Sequence, residues 1–228
     1  MPRSRGICPF RKAAAERFPR QGTYRYDWGD CHFLCLDSNI YVDPTDPGLQ
    51  AWIEADLAGS SAAWKFVVFH HPPFNVGEEH YAEQHMRVLS PIFEKHGVTM
   101  VLSGHEHNYQ RTVPLKFAPS DVKGAKNVGT KARLVPGAFT LDKAFDGAKN
   151  TRPDGVIYVV TGAGGKHLYD SEWQQTPRTH AEDGNLAYVA RFVSDRHSLT
   201  VFDAAPKSLT MTQIDQWGGV IDRVRITK

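Results

Sequence analysis

The sequence predicts an α/β fold in which a parallel strand–helix–strand unit is followed by antiparallel strands, and three observations predict it. Two continuous apolar runs, 65–69 and 98–102, flank a stretch with apolar residues at helical spacing. Strands of such units are buried on both faces, and the crossover is right-handed. Strand-like segments at 156–160, 186–193, 199–202, 210–215 and 220–226 then crowd the second half, as an antiparallel region requires. With 228 residues, 41% of them hydrophobic, the chain suits one packed domain better than two.

Each element has a local reason. Residues 1–22 carry Arg3, Arg5, Arg11, Lys12, Arg17 and Arg20 against one acid, Glu16, without the apolar stretch of a secretory signal. A basic, solvated arm is expected there, ahead of a domain at 23–228. Residues 24–37 read as a hairpin with its corner at Trp28-Gly29. His32 alternates with apolar neighbours and reads as a packed or surface strand residue. Cys31 and Cys35 share a face of that hairpin, but at about 3.3 Å per residue they stand roughly 13 Å apart, too far for a disulfide. Asp46-Pro47 offers an N-cap followed by a first-turn proline, Leu49, Trp52, Ile53 and Leu57 follow at helical spacing, and Gly59 closes the segment. A helix is expected over 82–96 with Met86, Leu89, Ile92 and Phe93 inward, Pro91 kinking it or marking its true start, and Gly97 stopping it. Residues 116–154, rich in Gly, Lys, Pro and Asp, read as a long loop or insertion.

Composition narrows the function. A formal net charge of +2 is too balanced to predict nucleic-acid binding. No apolar run approaches the ~20 residues of a membrane helix. Thr161-Gly-Ala-Gly-Gly-Lys166 lacks the spacing and the following Ser/Thr of a P-loop and reads as a turn after a strand. Nothing assigns a compartment.

The histidines carry the chemistry. The first strand of the parallel unit runs into Phe69-His70-His71-Pro72-Pro73-Phe74 and the second into Ser103-Gly104-His105-Glu106-His107-Asn108-Tyr109-Gln110-Arg111. Parallel neighbours end at the same edge, where open α/β sheets place ligands. Three or four imidazoles therefore converge, and three suffice for a catalytic zinc. Gly104 is expected to let the backbone turn so that His105 and His107 aim at one point.

These two blocks resemble the last two motif blocks of the calcineurin-like metallophosphoesterases, in the purple acid phosphatase-like branch. Residues 24–39 and 155–169 resemble the hairpin before those blocks and a strand and loop near the end of that domain. The resemblance implies the later part of a two-sheet α+β sandwich with helices outside. It also implies metal ligation by His70, His105 and His107, and proton donation to the leaving group by His80, ten residues after the first ligand. Asn108, Tyr109 and Arg111 become candidates for positioning groups or phosphate contacts, since the guanidinium fork can bond two phosphate oxygens.

The family's three earlier blocks, which supply carboxylate and Asn ligands, find no match in this sequence, so the chain reads as lacking them. Two divalent cations roughly 3.5–4 Å apart need anions between them, whereas three neutral imidazoles suit one. The expectation is therefore a reduced, mononuclear site holding one divalent metal per chain, zinc first, with iron or manganese as alternatives. Asp37, Glu78, Glu79 and Glu106 are the acids available to complete it. The expected activity is metal-dependent phosphoester hydrolysis. The alternatives are a mononuclear zinc hydrolase of another ester or lactone, and an inactive metal-binding remnant. The substrate would be a small phosphoester, with no nucleic acid or membrane involved. An apolar sheet face left bare by the missing blocks would be covered in a homodimer or larger oligomer.

Overall fold

The computed structural model describes residues 22–169, 171 and 187–228. The expected basic arm lies outside them except for its last residue, as do Cys8 and the first residue of the strand expected at 186–193. In chain order the elements are β1 (Tyr24–Trp28), β2 (Cys31–Cys35), α1 (Pro47–Gly59), β3 (Trp64–Val68), α2 (Ser90–Lys95), β4 (Met100–Ser103), β5 (Tyr109–Thr112), β6 (Leu115–Pro119), β7 (Gly137–Leu141), β8 (Ile157–Thr161), β9 (Val189–Val193), β10 (Ser198–Ala205), β11 (Ser208–Asp215) and β12 (Val220–Thr227).

A seven-stranded sheet of order β1-β2-β3-β4-β8-β5-β9 forms the centre, with β2, β3, β4 and β8 parallel and the other pairings antiparallel. Strand alternation splits its side chains into two cores. Leu34, Val67, Val101 and Tyr158 pack towards α1, α2 and the two-stranded β6–β7 sheet, joined by Ile53, Leu57 and Phe93. Cys31, Phe66, Met100, Ile157 and Val159 face the three-stranded β10–β11–β12 sheet, joined by Leu209, Met211, Val224 and Ile226. Trp64 bridges the two sheets, its indole donating to the Ala205 carbonyl at 2.7 Å. Each of these fully buried side chains contributes about 1.5–3 kcal/mol by removal from water.

Local signals explain the helices. The Asp46 carboxylate accepts the Leu49 amide at 2.8 Å and Pro47 opens α1, whose Leu49, Ile53 and Leu57 are buried at four-residue spacing. The helix expected over 82–96 is shorter. A 3₁₀ turn spans His85–Leu89, and the α-helical part is Ser90–Lys95 with Pro91 in its first turn. Proline cannot donate within a longer helix and clashes with the carbonyl four residues earlier, so the helix starts there. Met86, Leu89 and Phe93 are buried as the spacing predicts, and Ile92 packs partly buried against them. Cys31 and Cys35 are free thiols.

Residues 116–154 hold more order than a loop. β6 and β7 pair with Phe117 opposite Phe139, and these rings join Phe74 in the first core. Among the described residues, no helix is long and apolar enough to cross a membrane.

Candidate metal centre

The parallel register of β3 and β4 sets Phe66, Val67 and Val68 beside Met100, Val101 and Leu102. His70 and His105 each follow their strand by two residues, so both reach the same sheet edge. Two contacts fix the loops there. The Gly104 amide donates to the His70 carbonyl at 3.1 Å. The Ser38 hydroxyl oxygen, just after β2, accepts the amides of His70 and His71 at 3.1 and 3.0 Å.

Beyond β4 the chain makes two successive three-residue turns, with Glu106 N–H donating to Gly104 C=O at 2.7 Å and Asn108 N–H to Glu106 C=O at 2.9 Å. They send alternate side chains opposite ways: Glu106 and Asn108 are fully buried, while His105 and His107 are partly exposed. The positive φ that makes this possible, 65°, falls on His105 and not on Gly104 as the sequence suggested. Such a conformation is uncommon outside glycine, is held only where surroundings over-determine it, and concentrates at functional sites.

The side chains then converge. His70 Nε2 and His105 Nδ1 lie 2.9 Å apart, close enough for both to hold one cation. His80 stacks on His105 at 3.6 Å between ring centroids, and His71 lies 4.4 Å from it. Behind these rings sits a carboxylate that the sequence did not single out. Glu83 places Oε1 at 2.9 Å from His80 Nδ1 and 3.3 Å from His105 Nε2, and Oε2 at 3.4 Å from His71 Nε2. The ligand-capable atoms of His71, Glu83 and His105 all lie within 4.8 Å of one another. Burial works against ionisation of Glu83, yet the His105 and His80 rings hold it well below the usual carboxylate range. Burial, with the His105 and His85 rings, pushes His71 down to about 3, so it is neutral. His70 is lowered by burial and by His105. The donor set of imidazoles beside one carboxylate fits a divalent transition metal.

The other sequence candidates are placed as follows. His107 does not join that close group. Its Nδ1 faces the His167 carbonyl at 3.0 Å and its ring stacks on Tyr169 at 4.0 Å, which fixes the ring and leaves Nε2 for a ligand. Asn108 Oδ1 accepts Gln110 Nε2 at 2.9 Å in the interior. Tyr109 and Arg111 point to the second sheet, where Asp222 accepts the Tyr109 hydroxyl at 2.7 Å and Arg111 Nε at 2.6 Å. The reason is β5: once a strand starts at residue 109, Tyr109 and Arg111 share the face that packs on β12. Among the acids considered, Glu106 is buried and accepts the His80 amide at 3.2 Å, Glu78 and Glu79 are exposed, and Asp37 accepts the Asn39 amide at 2.9 Å. His32 lies at the far end of the sheet, buried between Asp27 and Asp56 at 2.7 and 2.8 Å.

Comparison with known proteins places this arrangement among related sequences and folds. Residues 10–109 match the family model of the calcineurin-like phosphoesterases. Tartrate-resistant acid phosphatase type 5 of Oryctolagus cuniculus is 33% identical over 178 residues, covering 78% of this chain and 42% of that protein. Purple acid phosphatase 18 of Arabidopsis thaliana is 30% identical over 110 residues, covering 46% of this chain and 25% of that one. A purple acid phosphatase structure from yellow lupin seeds superposes with a TM-score of 0.62 at 17% identity, over 90% of this chain and 32% of that one. The chain thus spans between about a quarter and about half the length of its curated relatives. It is similar to the calcineurin-like phosphoesterases over residues 10–109, and purple acid phosphatases are among its relatives in sequence.

Proposed function

We propose that the chain hydrolyses phosphoesters at a single divalent metal, zinc by preference and iron or manganese otherwise, one ion per chain. The observation that carries the reading is the pair of nitrogens, His70 Nε2 and His105 Nδ1, 2.9 Å apart at the carboxyl edge of a parallel sheet. His107 Nε2 stands as a further ligand. A divalent cation held there supplies a Lewis acid and lowers the pKa of water. His80 is the proton donor to the leaving group: its Nδ1 is engaged by Glu83, which leaves Nε2 to face a substrate. Asn108, Tyr109 and Arg111 support the site from behind, through the interior and the second sheet.

Oligomerisation has support of a separate kind. β10 is an edge strand that exposes Leu199 and Val201, and an edge of this kind invites pairing with a second copy. A monomer by light scattering at micromolar concentration overturns the dimer.

The test combines metal content with turnover. Elemental analysis should find one metal per chain. Hydrolysis of p-nitrophenyl phosphate and of its bis ester should require that metal and fall at least a hundredfold in His105→Ala. Metal removal by a chelator should also lower Tm, since a ligand at a hundred times its Kd stabilises by about 2.7 kcal/mol. Turnover equal in wild type and His105→Ala refutes the hydrolase. Turnover of carboxylate esters alone selects the other zinc hydrolase.

A further inference from the structure

Glu83 is one carboxylate facing three imidazoles, and the sequence gives no hint of it. It is buried, 4% exposed, in the turn that carries His80. The three nitrogens that face it are His80 Nδ1, His105 Nε2 and His71 Nε2. Two arrangements use the same atoms. In one, His71, Glu83 and His105 themselves grip a cation. In the other, Glu83 only collects protons from the rings and thereby fixes which nitrogen each ring turns to the site.

The Ser38 hydroxyl decides between them. Its oxygen already accepts two amides, those of His70 and His71, and so has both lone pairs occupied. Its own proton must go to His71 Nδ1, 2.9 Å away. A ring that accepts at Nδ1 carries its proton on Nε2, here the atom 3.4 Å from Glu83. That atom has no lone pair to give a metal. His105 obeys the same logic from the other side. Its Nδ1 sits beside His70 Nε2 at 2.9 Å, whereas its Nε2 is buried, has no well-aligned hydrogen-bond partner and faces Glu83 Oε1 at 3.3 Å.

We propose that Glu83 is a positioning residue for the site: it holds the proton of His105 on Nε2, so that His105 offers Nδ1 to the metal, and it accepts the Nδ1–H of His80, which turns the Nε2 edge of that ring to the leaving group. This rests on the metal-dependent reading above and adds to it the carboxylate that organises the rings. Carboxylates behind metal-bound imidazoles fix ring orientation and raise ligand basicity, and their loss weakens metal affinity about 10–100-fold.

The experiment uses the full chain labelled with ¹⁵N-histidine, free of substrate. Long-range ¹H–¹⁵N correlation reads the tautomer of each ring, assigned by single His→Gln replacements, and a zinc titration reads affinity. The wild type should carry the His105 proton on Nε2. Glu83→Gln keeps the shape but presents an amide NH₂ to rings that need an acceptor. It should mix the His105 tautomers and raise the zinc Kd by about 10–100-fold, while Glu83→Asp recovers part of the loss. His71→Gln should shift the zinc Kd less than threefold. A wild-type His105 protonated on Nδ1 overturns the inference without any variant, and so does an unchanged Kd in Glu83→Gln. Loss of zinc in His71→Gln as large as in His105→Gln makes Glu83 and His71 direct ligands and also overturns it. A chain that passes these tests and hydrolyses nothing keeps the inference and loses the hydrolase.

Discussion

Arg111 is the residue for which sequence and structure point to different work, and a double-mutant cycle separates them. Its guanidinium meets Asp222 through Nε at 2.6 Å and Nη2 at 3.2 Å, with both side chains about nine-tenths buried. Asp222 also accepts the Tyr109 hydroxyl at 2.7 Å, and burial and Asp222 raise the Tyr109 pKa so that it stays a donor. Asp222→Leu strands a buried cation and a buried hydroxyl, which costs about 3–5 kcal/mol. For a chain of this size each kcal/mol moves Tm by about 2–4 °C, so the melt should fall by roughly 6–20 °C.

Arg111→Met alone leaves the Asp222 carboxylate with the tyrosine hydroxyl as its remaining partner and should cost somewhat less. The two changes together remove both charges and insert apolar bulk, an exchange often near neutral for the ion pair itself, so the double should lose only about 1–3 kcal/mol, from the stranded Tyr109 hydroxyl. The coupling energy from urea denaturation of wild type, both singles and the double should therefore be at least about 3 kcal/mol. The KM of Arg111→Met for p-nitrophenyl phosphate should stay within twofold, because the guanidinium is turned to β12. Effects that add within about 0.5 kcal/mol, or a tenfold rise in KM without loss of stability, would falsify the inter-sheet role and return Arg111 to the phosphate.

Two further outcomes are expected. A Cβ at Gly162 would overlap the backbone carbonyl of Glu106, in the turn that aims His105 and His107. Gly162→Ala should cost about 1–3 kcal/mol in a thermal melt and weaken zinc binding with it; a variant that is destabilised yet binds zinc normally shows the turn to be independent of β8. Burial works against protonation of His32, but its hydrogen bonds to Asp56 and Asp27 raise its pKa on balance. The contribution is then complete below the unfolded value of about 6.5 and is lost as pH rises through the folded one. The stability gap between wild type and His32→Gln should be wider at pH 6 than at pH 9, and an equal gap at both refutes a stabilising His32–carboxylate charge pairing.

The parts of the fold that were legible are those set by local pattern. Continuous apolar runs at β3 and β4 placed both strands in the sheet interior, and their parallel pairing followed from the connection between them, which brought His70 and His105 to one edge. β6 and β7 escaped notice because Phe117 and Phe139 are partners 22 residues apart in sequence, each in a strand of five residues. A pairing of that range leaves no periodicity in either segment. β5 was missed for its shortness, four residues directly after the histidine turns. Had it been read as a strand, alternation alone would have turned Tyr109 and Arg111 away from the metal edge.

Glu83 is the instructive case. In the sequence it is an acid in a stretch with helical spacing, where a solvated helix face is its ordinary place. In the structure that stretch is not helical until residue 90, and Glu83 turns inward beneath His71, His80 and His105. Two of these partners come from loops that only the sheet brings near. Periodicity reports which side of an element a residue faces, whereas a carboxylate's proton partners depend on which loops the sheet edge gathers. The ligand pair was visible because each histidine follows its own strand. The group that orients it was not, because its position is a property of three segments at once.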